Sequence, residues 1–161
     1  MEHIEIRSVS AGDAEFLFQL MNEPTVMKAL NEVPTEKRDW EEAVSAWSED
    51  ADEEGYIVLR SGQPAGWFAV NGLLADDHTA FLKMAVLLPA YQGKHIGRYV
   101  ITKIKENLQS RGILSIALFT NQSNLKAQKC YAKCGFKVID TLTEEMSDHT
   151  IADRYKMACQ I

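Results

Sequence analysis

From Val86 to Arg98 the chain reads Val86-Leu87-Leu88-Pro89-Ala90-Tyr91-Gln92-Gly93-Lys94-His95-Ile96-Gly97-Arg98. An apolar strand pattern stops at a proline, and a polar loop with two glycines opens directly into an amphipathic helix pattern. The chemistry such a stretch supports is anion binding. The first turn of a helix leaves backbone N–H groups unpaired, and the helix dipole places about half a positive charge there. Glycine lets backbone approach an anion closely, and Lys94 and Arg98 add full charges beside it. No Gly-Lys-Ser/Thr closes the loop and no GxGxxG is present, so it is neither a Walker loop nor a dinucleotide turn. A strand–loop–helix connection also uses glycine merely to turn tightly, and the loop alone does not separate the two readings.

A second run lies about thirty residues on: Asn124-Leu125-Lys126-Ala127-Gln128-Lys129-Cys130-Tyr131-Ala132-Lys133-Cys134-Gly135-Phe136. Taken together the two runs resemble the GNAT superfamily of acyl-CoA-dependent N-acyltransferases. The loop of that family reads Arg/Gln-x-x-Gly-x-Gly/Ala; Gln92, Gly93, Ile96 and Gly97 fit it, Pro89 and Tyr91 stand where the family has them, and His95 replaces the middle glycine. The second run matches Asn-x-x-Ala-x-x-x-Tyr-x-Lys-x-Gly-Phe at every stated position. The motifs are confined to about residues 84 to 136, although the order of elements agrees along the whole chain.

The resemblance implies a mixed, mostly antiparallel twisted sheet of about six or seven strands with about four helices, splayed between the fourth and fifth strands. It implies acetyl-coenzyme A as cosubstrate, its pyrophosphate on the loop amides of Gln92, Gly93, Lys94, His95, Ile96, Gly97 and Arg98, and its pantetheine arm paired like a strand near Val86 and Leu87. Asn124 would contact that arm or shape the splay, and Tyr131 would be the general acid that protonates the departing thiolate. The acceptor would be an amine, on a small molecule or at a protein N-terminus; Asn22-Glu23-Pro24 with Val26-Met27 resembles the opening of N-terminal acetyltransferases that act on ribosomal proteins. A homodimer is common in such proteins. A non-catalytic acyl-CoA sensor or assembly subunit on the same fold is the rival reading, and retention of Tyr131 favours the enzyme.

Elements to position these groups are legible in the periodicity. Ile4 to Arg7 alternates as a strand; Asp13 to Leu20 is helical; Val26, Met27 and Leu30 give a short helical turn between Pro24 and Pro34; Thr35 caps a helix through Trp40, Val44 and Trp47, whose indoles read as core. The acidic run Glu49 to Glu54 reads as a solvated loop. Tyr56–Arg60, Trp67–Leu73 and Thr79–Leu88 form an antiparallel meander. A helix from Gly97 with Val100, Ile101, Ile104 and Leu108 on one face stops at Gly112. Ile113–Phe119, nearly all apolar, is a strand covered on both faces, followed by a helix from Asn124 to Cys134, a strand Phe136–Leu142 and a last strand Ile151–Cys159. One mixed α/β domain over residues 1–161 follows.

Composition agrees. With 46% hydrophobic and 25% charged residues the chain has material for a core and no stretch long enough to span a membrane; the opening Met1-Glu2-His3 lacks a secretory profile, so the cytoplasm is the expected location. The net charge of −6 argues against nucleic acid as a partner, yet Tyr91 to Lys137 holds nine Lys or Arg against one acid, Glu106. Bound polyanion would account for that asymmetry, as would two solvated helices. Cys130, Cys134 and Cys159 are an odd count and read as reduced thiols; Cys130 and Cys134 share a helix face without further ligands, so no metal is expected, and nothing adjacent in sequence activates Cys130 as a nucleophile. The general base is open among Glu23, Glu32, Glu144, Glu145, Asp148 and His149.

Overall fold

The computed structural model describes residues 3–161; Met1 and Glu2, part of the opening stretch considered above, lie outside it. The strands are β1 (Ile4–Ser8), β2 (Glu54–Arg60), β3 (Gln63–Asn71), β4 (Thr79–Leu87), β5 (Ser115–Asn121), β6 (Lys137–Glu145) and β7 (Ile151–Gln160). The helices are α1 (Ala14–Met21), α2 (Pro24–Leu30), α3 (Lys37–Ser48), α4 (Ile96–Ser110) and α5 (Leu125–Lys133). The strands make one sheet in the order β1-β2-β3-β4-β5-β7-β6. The predicted meander is β2–β3–β4, and the predicted strand–helix–strand unit is β4–α4–β5, the parallel pair in an otherwise antiparallel sheet.

Each face of the sheet carries its own core. On one face α4 buries Ile96, Val100, Ile101, Ile104 and Leu108 against Val58, Phe68, Leu82, Ile116 and Leu118. On the other α1, α2 and α3 bury Leu17, Leu20, Val26 and Val44 against Ile57, Trp67, Ala69 and Val86. Neighbours such as Ile57 and Val58 therefore go to opposite cores, as strand alternation requires. Each such aliphatic side chain contributes about 1.5–3 kcal/mol on burial.

Strand β4 changes sides partway. Ala69 pairs with Met84 but Val70 pairs with Leu82, so Lys83 is an extra residue in a bulge. Ala80 and Leu82 before it join the α4 core, whereas Met84 and Val86 after it join the α1–α3 core. A one-residue slip has this effect because side chains alternate with period two. Beyond the bulge β3 comes very close: a Cβ on Gly66 would lie 2.2 Å from the Val86 carbonyl oxygen and 2.7 Å from Leu87 Cδ2, so only glycine fits there. β4 and β5 then diverge. They pair only at Thr79–Phe81 with Ser115–Ala117, while β5 stays paired with β7 to its end.

Three expectations need revision. Thr35 is not the cap of α3; Glu36 holds that place, with the Asp39 carboxylate accepting its backbone N–H, and the Thr35 hydroxyl accepts from Asn22 Nδ2 and Trp40 Nε1, each at 2.8 Å. The acidic run is a solvated turn only over Glu49 to Ala51, which are exposed; its second half is engaged. Asp52 accepts the N–H groups of Gly72 and Leu74, Glu53 pairs with Lys83 at 2.6 Å, and Glu54 takes a two-pronged bond from Arg111. The short turn after Pro24 is a seven-residue helix whose N-terminus Glu23 caps. The tryptophans are core as expected: Trp47 stacks on Trp67 at 5.2 Å and Trp40 meets Trp67 edge-on at 5.6 Å.

Candidate active site

The loop after β4 makes a short 3-10 turn at Pro89–Tyr91 and then enters α4 through His95. His95 adopts the left-handed conformation, φ 63° and ψ 10°, with no side-chain cap on the helix. The sequence departure from glycine is thus accommodated at the expense of backbone strain. The first intrahelical bond runs from Tyr99 N–H to the His95 carbonyl at 3.1 Å. The amides of Ile96, Gly97 and Arg98 precede it and carry the positive end of the helix dipole. Gly93 is also left-handed, at φ 73°, and Lys94 and Arg98 are exposed on either side.

The other candidates fall around this turn in different ways. Ile96 is 3% exposed, so it can offer an anion only its amide. Gln92 is engaged within the chain: its Nε2 donates to the Leu87 carbonyl at 2.9 Å and ties the loop to the end of β4. Val86 turns its side chain into the α1–α3 core, whereas Leu87 packs toward α4. Asn124 caps α5, its Oδ1 accepting from Ala127 N–H at 3.2 Å while its own N–H donates to the Asn121 carbonyl at the end of β5. A Cβ on Gly97 would sit 3.7 Å from Cys130 Sγ and 3.9 Å from Leu87 Cδ1. The end of β4, the start of α4 and one face of α5 therefore meet at Gly97.

Tyr131 lies on α5 with its ring 6.0 Å from that of Phe136. Burial, with the Cys130 and Cys134 thiols adding to it and Arg154 opposing, pushes its phenol above the ordinary value, so the proton stays on at neutral pH. Its neighbour Cys130 moves the other way, to about 7: the Cys134 thiol donates to it, burial opposes, and Arg98 and Lys133 favour the thiolate. The expectation that nothing adjacent in sequence activates Cys130 is therefore corrected: Cys134 and Lys133 lie one helical turn on, and only Arg98, on α4, is distant in the chain. We expect alkylation of Cys130 by iodoacetamide to rise through about pH 7 and level off above it, with Cys134, whose thiol is pushed up as the hydrogen-bond donor, reacting more slowly. Peptide mapping over a pH series measures this; equal rates at the two thiols would contradict it.

The base candidates separate. Glu23 spends its carboxylate on the amides of Thr25 and Val26; Glu144 pairs with Arg154 and Glu145 with His149; Asp148 accepts the N–H and hydroxyl of Thr150. Glu32 has its carboxyl raised, first by burial and further by Asp148, with a bond from Ser147 opposing. Its neighbour Asn31, left-handed at the end of α2, holds this corner in place. Asn31 accepts from Asn121 Nδ2 at 2.6 Å, donates to Thr150 Oγ1 at 3.1 Å, and its carbonyl accepts the Asp148 N–H. The corner after α2, the end of β5 and the β6–β7 turn thus form one rim over the diverging strands.

The diverging pair β4–β5, the α4 N-terminus after β4 and Tyr131 on α5, the helix that meets α4 at Gly97, come together in one region of the chain. Residues 15–136 match the model of the acetyltransferase (GNAT) family, and the chain belongs to that family. It is 35% identical over 74 residues to an uncharacterized N-acetyltransferase of Mycobacterium tuberculosis, 46% of this chain and 47% of that protein. It is 39% identical over 72 residues to the ribosomal protein bS18 alanine N-acetyltransferase of Haemophilus ducreyi, 45% of this chain and 48% of that protein. The matched region thus spans about half the length of these curated relatives. In fold it is similar to spermidine N-acetyltransferase from Vibrio cholerae, solved with CoA and spermine: TM-score 0.88, 23% identity, 98% of this chain and 95% of that one. Among the described residues no helix is long and apolar enough to cross a membrane and no group of three or more His, Cys, Asp or Glu is placed to hold a metal ion.

His95→Gly is expected to keep acetyl-CoA affinity and turnover within a few-fold. Relief of the left-handed β-carbon should stabilise the fold by about 1 kcal/mol, which raises the melting temperature by about 2–4 °C for a chain of this size. A turnover loss above about a hundredfold, the scale of general acid–base catalysis, would instead make His95 catalytic.

Proposed function

We propose that the 161 residues act as one N-acetyltransferase domain that moves the acetyl group of acetyl-coenzyme A to a primary amine by direct attack. The observation that carries this is the divergence of β4 from β5, with the α4 N-terminus after β4 and Tyr131 on α5, which meets that N-terminus at Gly97. The amides of Gln92 to Arg98, helped by Lys94 and Arg98, hold the pyrophosphate. The free edge of β4 at Val86 and Leu87 pairs with the pantetheine arm, and Asn124 fixes the far side of the gap. Holding donor and amine together supplies the entropic advantage of an intramolecular reaction. A backbone N–H near Val86 polarises the thioester carbonyl. The amine nitrogen forms its bond to the acetyl carbon, the carbon–sulfur bond breaks, Tyr131 gives its proton to the sulfur, and the second proton shed by the nitrogen as the amide forms restores the phenol. Glu32, at the rim and raised toward neutrality, takes the proton that the attacking ammonium must lose. No metal or covalent enzyme intermediate takes part.

The names of the relatives support transfer to nitrogen, with acceptors as different as a ribosomal protein's alanine and spermidine. The test is a screen of amines with acetyl-CoA, reading thiol release. Release with at least one amine, diminished in Glu32→Gln across neutral pH, is the expected outcome. Tight acetyl-CoA binding without release for any amine class would favour the sensor reading instead.

A further inference from the structure

A cavity of about 380 Å³ opens where β4 and β5 begin to part, lined by Asn71, Phe81, Leu82, Lys83, Phe119 and Arg154. Its size falls at the small end of ligand sites. Phe81 is the last β4 residue paired with β5, and Phe119 lies just past the last paired β5 residue, Ala117. Their rings stack at 5.8 Å and 17°, making an apolar platform at the root of the divergence. Lys156 sits over both rings, 5.5 Å from Phe81 and 5.9 Å from Phe119, and Arg154 lies 5.8 Å from Phe119.

The charges around this platform do not cancel. Lys83 is matched by Glu53, and Arg154 by Glu144; Arg154 spends Nε on Asn121 and Nη1 on Glu144. Lys156 forms no ion pair among the described residues, although Asp140 stands opposite it across the β6–β7 pair, and no acid lines the cavity. The lining itself thus sets cationic groups and no acid beside two aromatic faces. A polyamine would bring its ammonium groups against Lys156, the one of the three cations without an ion pair among the described residues; a single anion on an apolar body would meet complementary charge and stack on the rings.

We infer that this cavity holds the tail of the amine acceptor and selects an apolar body ending in a carboxylate, against a polyamine. The inference rests on the acetyl-transfer reading above. The β4 residues of the cavity, Phe81 to Lys83, stand three to five residues before Val86, roughly 10–17 Å along an extended strand, so the acceptor's amine and carboxylate are separated by a length of that order.

The test compares aminooctanoate, diaminooctane and octylamine as acceptors, reading thiol release from acetyl-CoA by the intact chain. Aminooctanoate is expected to exceed diaminooctane in kcat/KM by about tenfold or more, the scale of a charge-assisted contact. In Lys156→Met the KM for aminooctanoate should rise about tenfold with kcat and octylamine turnover little changed. A melting curve confirms that this variant folds. Calorimetry with octanoate in the presence of coenzyme A gives a readout independent of turnover, and binding should weaken in the variant. Preference for diaminooctane, or a Lys156→Met chain with unaltered KM and octanoate affinity, overturns the inference while leaving acetyl transfer intact. Acetyl-CoA binding with no thiol release from any of the three, nor from a wider amine panel, overturns both.

Discussion

Gly97→Glu is expected to fold and to lose acetyl-CoA affinity by at least about a hundredfold. The position lies in the first turn of α4, where a carboxylate suits the helix dipole, so the helix itself should gain. Space for a β-carbon exists, since the nearest atoms would be Cys130 Sγ at 3.7 Å and Leu87 Cδ1 at 3.9 Å. Gly97→Ala should therefore bind almost normally. The glutamate does two further things: it takes the amides of Ile96, Gly97 and Arg98 for itself, and it sets a negative charge against a pyrophosphate. Two unit charges at about 5 Å in a medium of effective dielectric 20 repel by about 3 kcal/mol, which is on the order of a hundredfold in affinity. Calorimetry on the folded variant reads this, and unchanged affinity would remove the loop from the cofactor site.

Tyr131→Phe is expected to cut turnover by roughly 10- to 1000-fold with little change in acetyl-CoA affinity. The ring that packs at 6.0 Å from Phe136 is kept, so the loss isolates the hydroxyl. An ordinary thiol has a pKa of about 8.5, so a departing thiolate needs help only modestly at neutral pH, and the effect belongs at the lower part of the general-acid range. The phenol's raised pKa keeps it protonated at the moment of need. An acyl donor whose thiol has a lower pKa should shrink the deficit. Full activity in the variant would exclude Tyr131 from proton transfer, and simultaneous loss of cofactor binding would make it structural.

How much of this was legible beforehand depended on sequence distance. The face of α4 carrying Val100, Ile101, Ile104 and Leu108 and its stop at Gly112 are local patterns and fell where periodicity placed them, whereas β5 begins and ends two residues later than its apolar run and leaves Phe119 exposed, because the splay uncovers that face. The loop and the Tyr131 run could be read because an anion cradle and its motif are contiguous. What escaped was long-range. β7 inserts between β5 and β6, and nothing in the alternation of Ile151–Gln160 reports its neighbours. The Asn31–Asn121 bond joins residues far apart in the chain, and Lys156 over Phe81 does likewise. The bulge at Lys83 could not be seen either, because a slip in pairing leaves no mark on an apolar strand. The cap of α3 was misassigned because Thr35 is the better capping residue by type, but its hydroxyl is taken by Asn22 and Trp40, and the helix begins one residue later with Asp39 accepting the Glu36 N–H.

The short register between β4 and β5 has a thermodynamic corollary. Past Ala117 the strand β5 has no β4 partner, so the sheet is split along part of its middle, and a ligand that bridges the split contributes to holding the two halves together. A molecule that binds only the folded chain adds RT ln(1 + [L]/Kd), about 2.7 kcal/mol at a hundred times Kd, or about 5–10 °C in melting temperature at this size. Thermal melting therefore becomes a titration curve for the donor. Acyl groups of different length can be ranked by it before any acceptor is in hand.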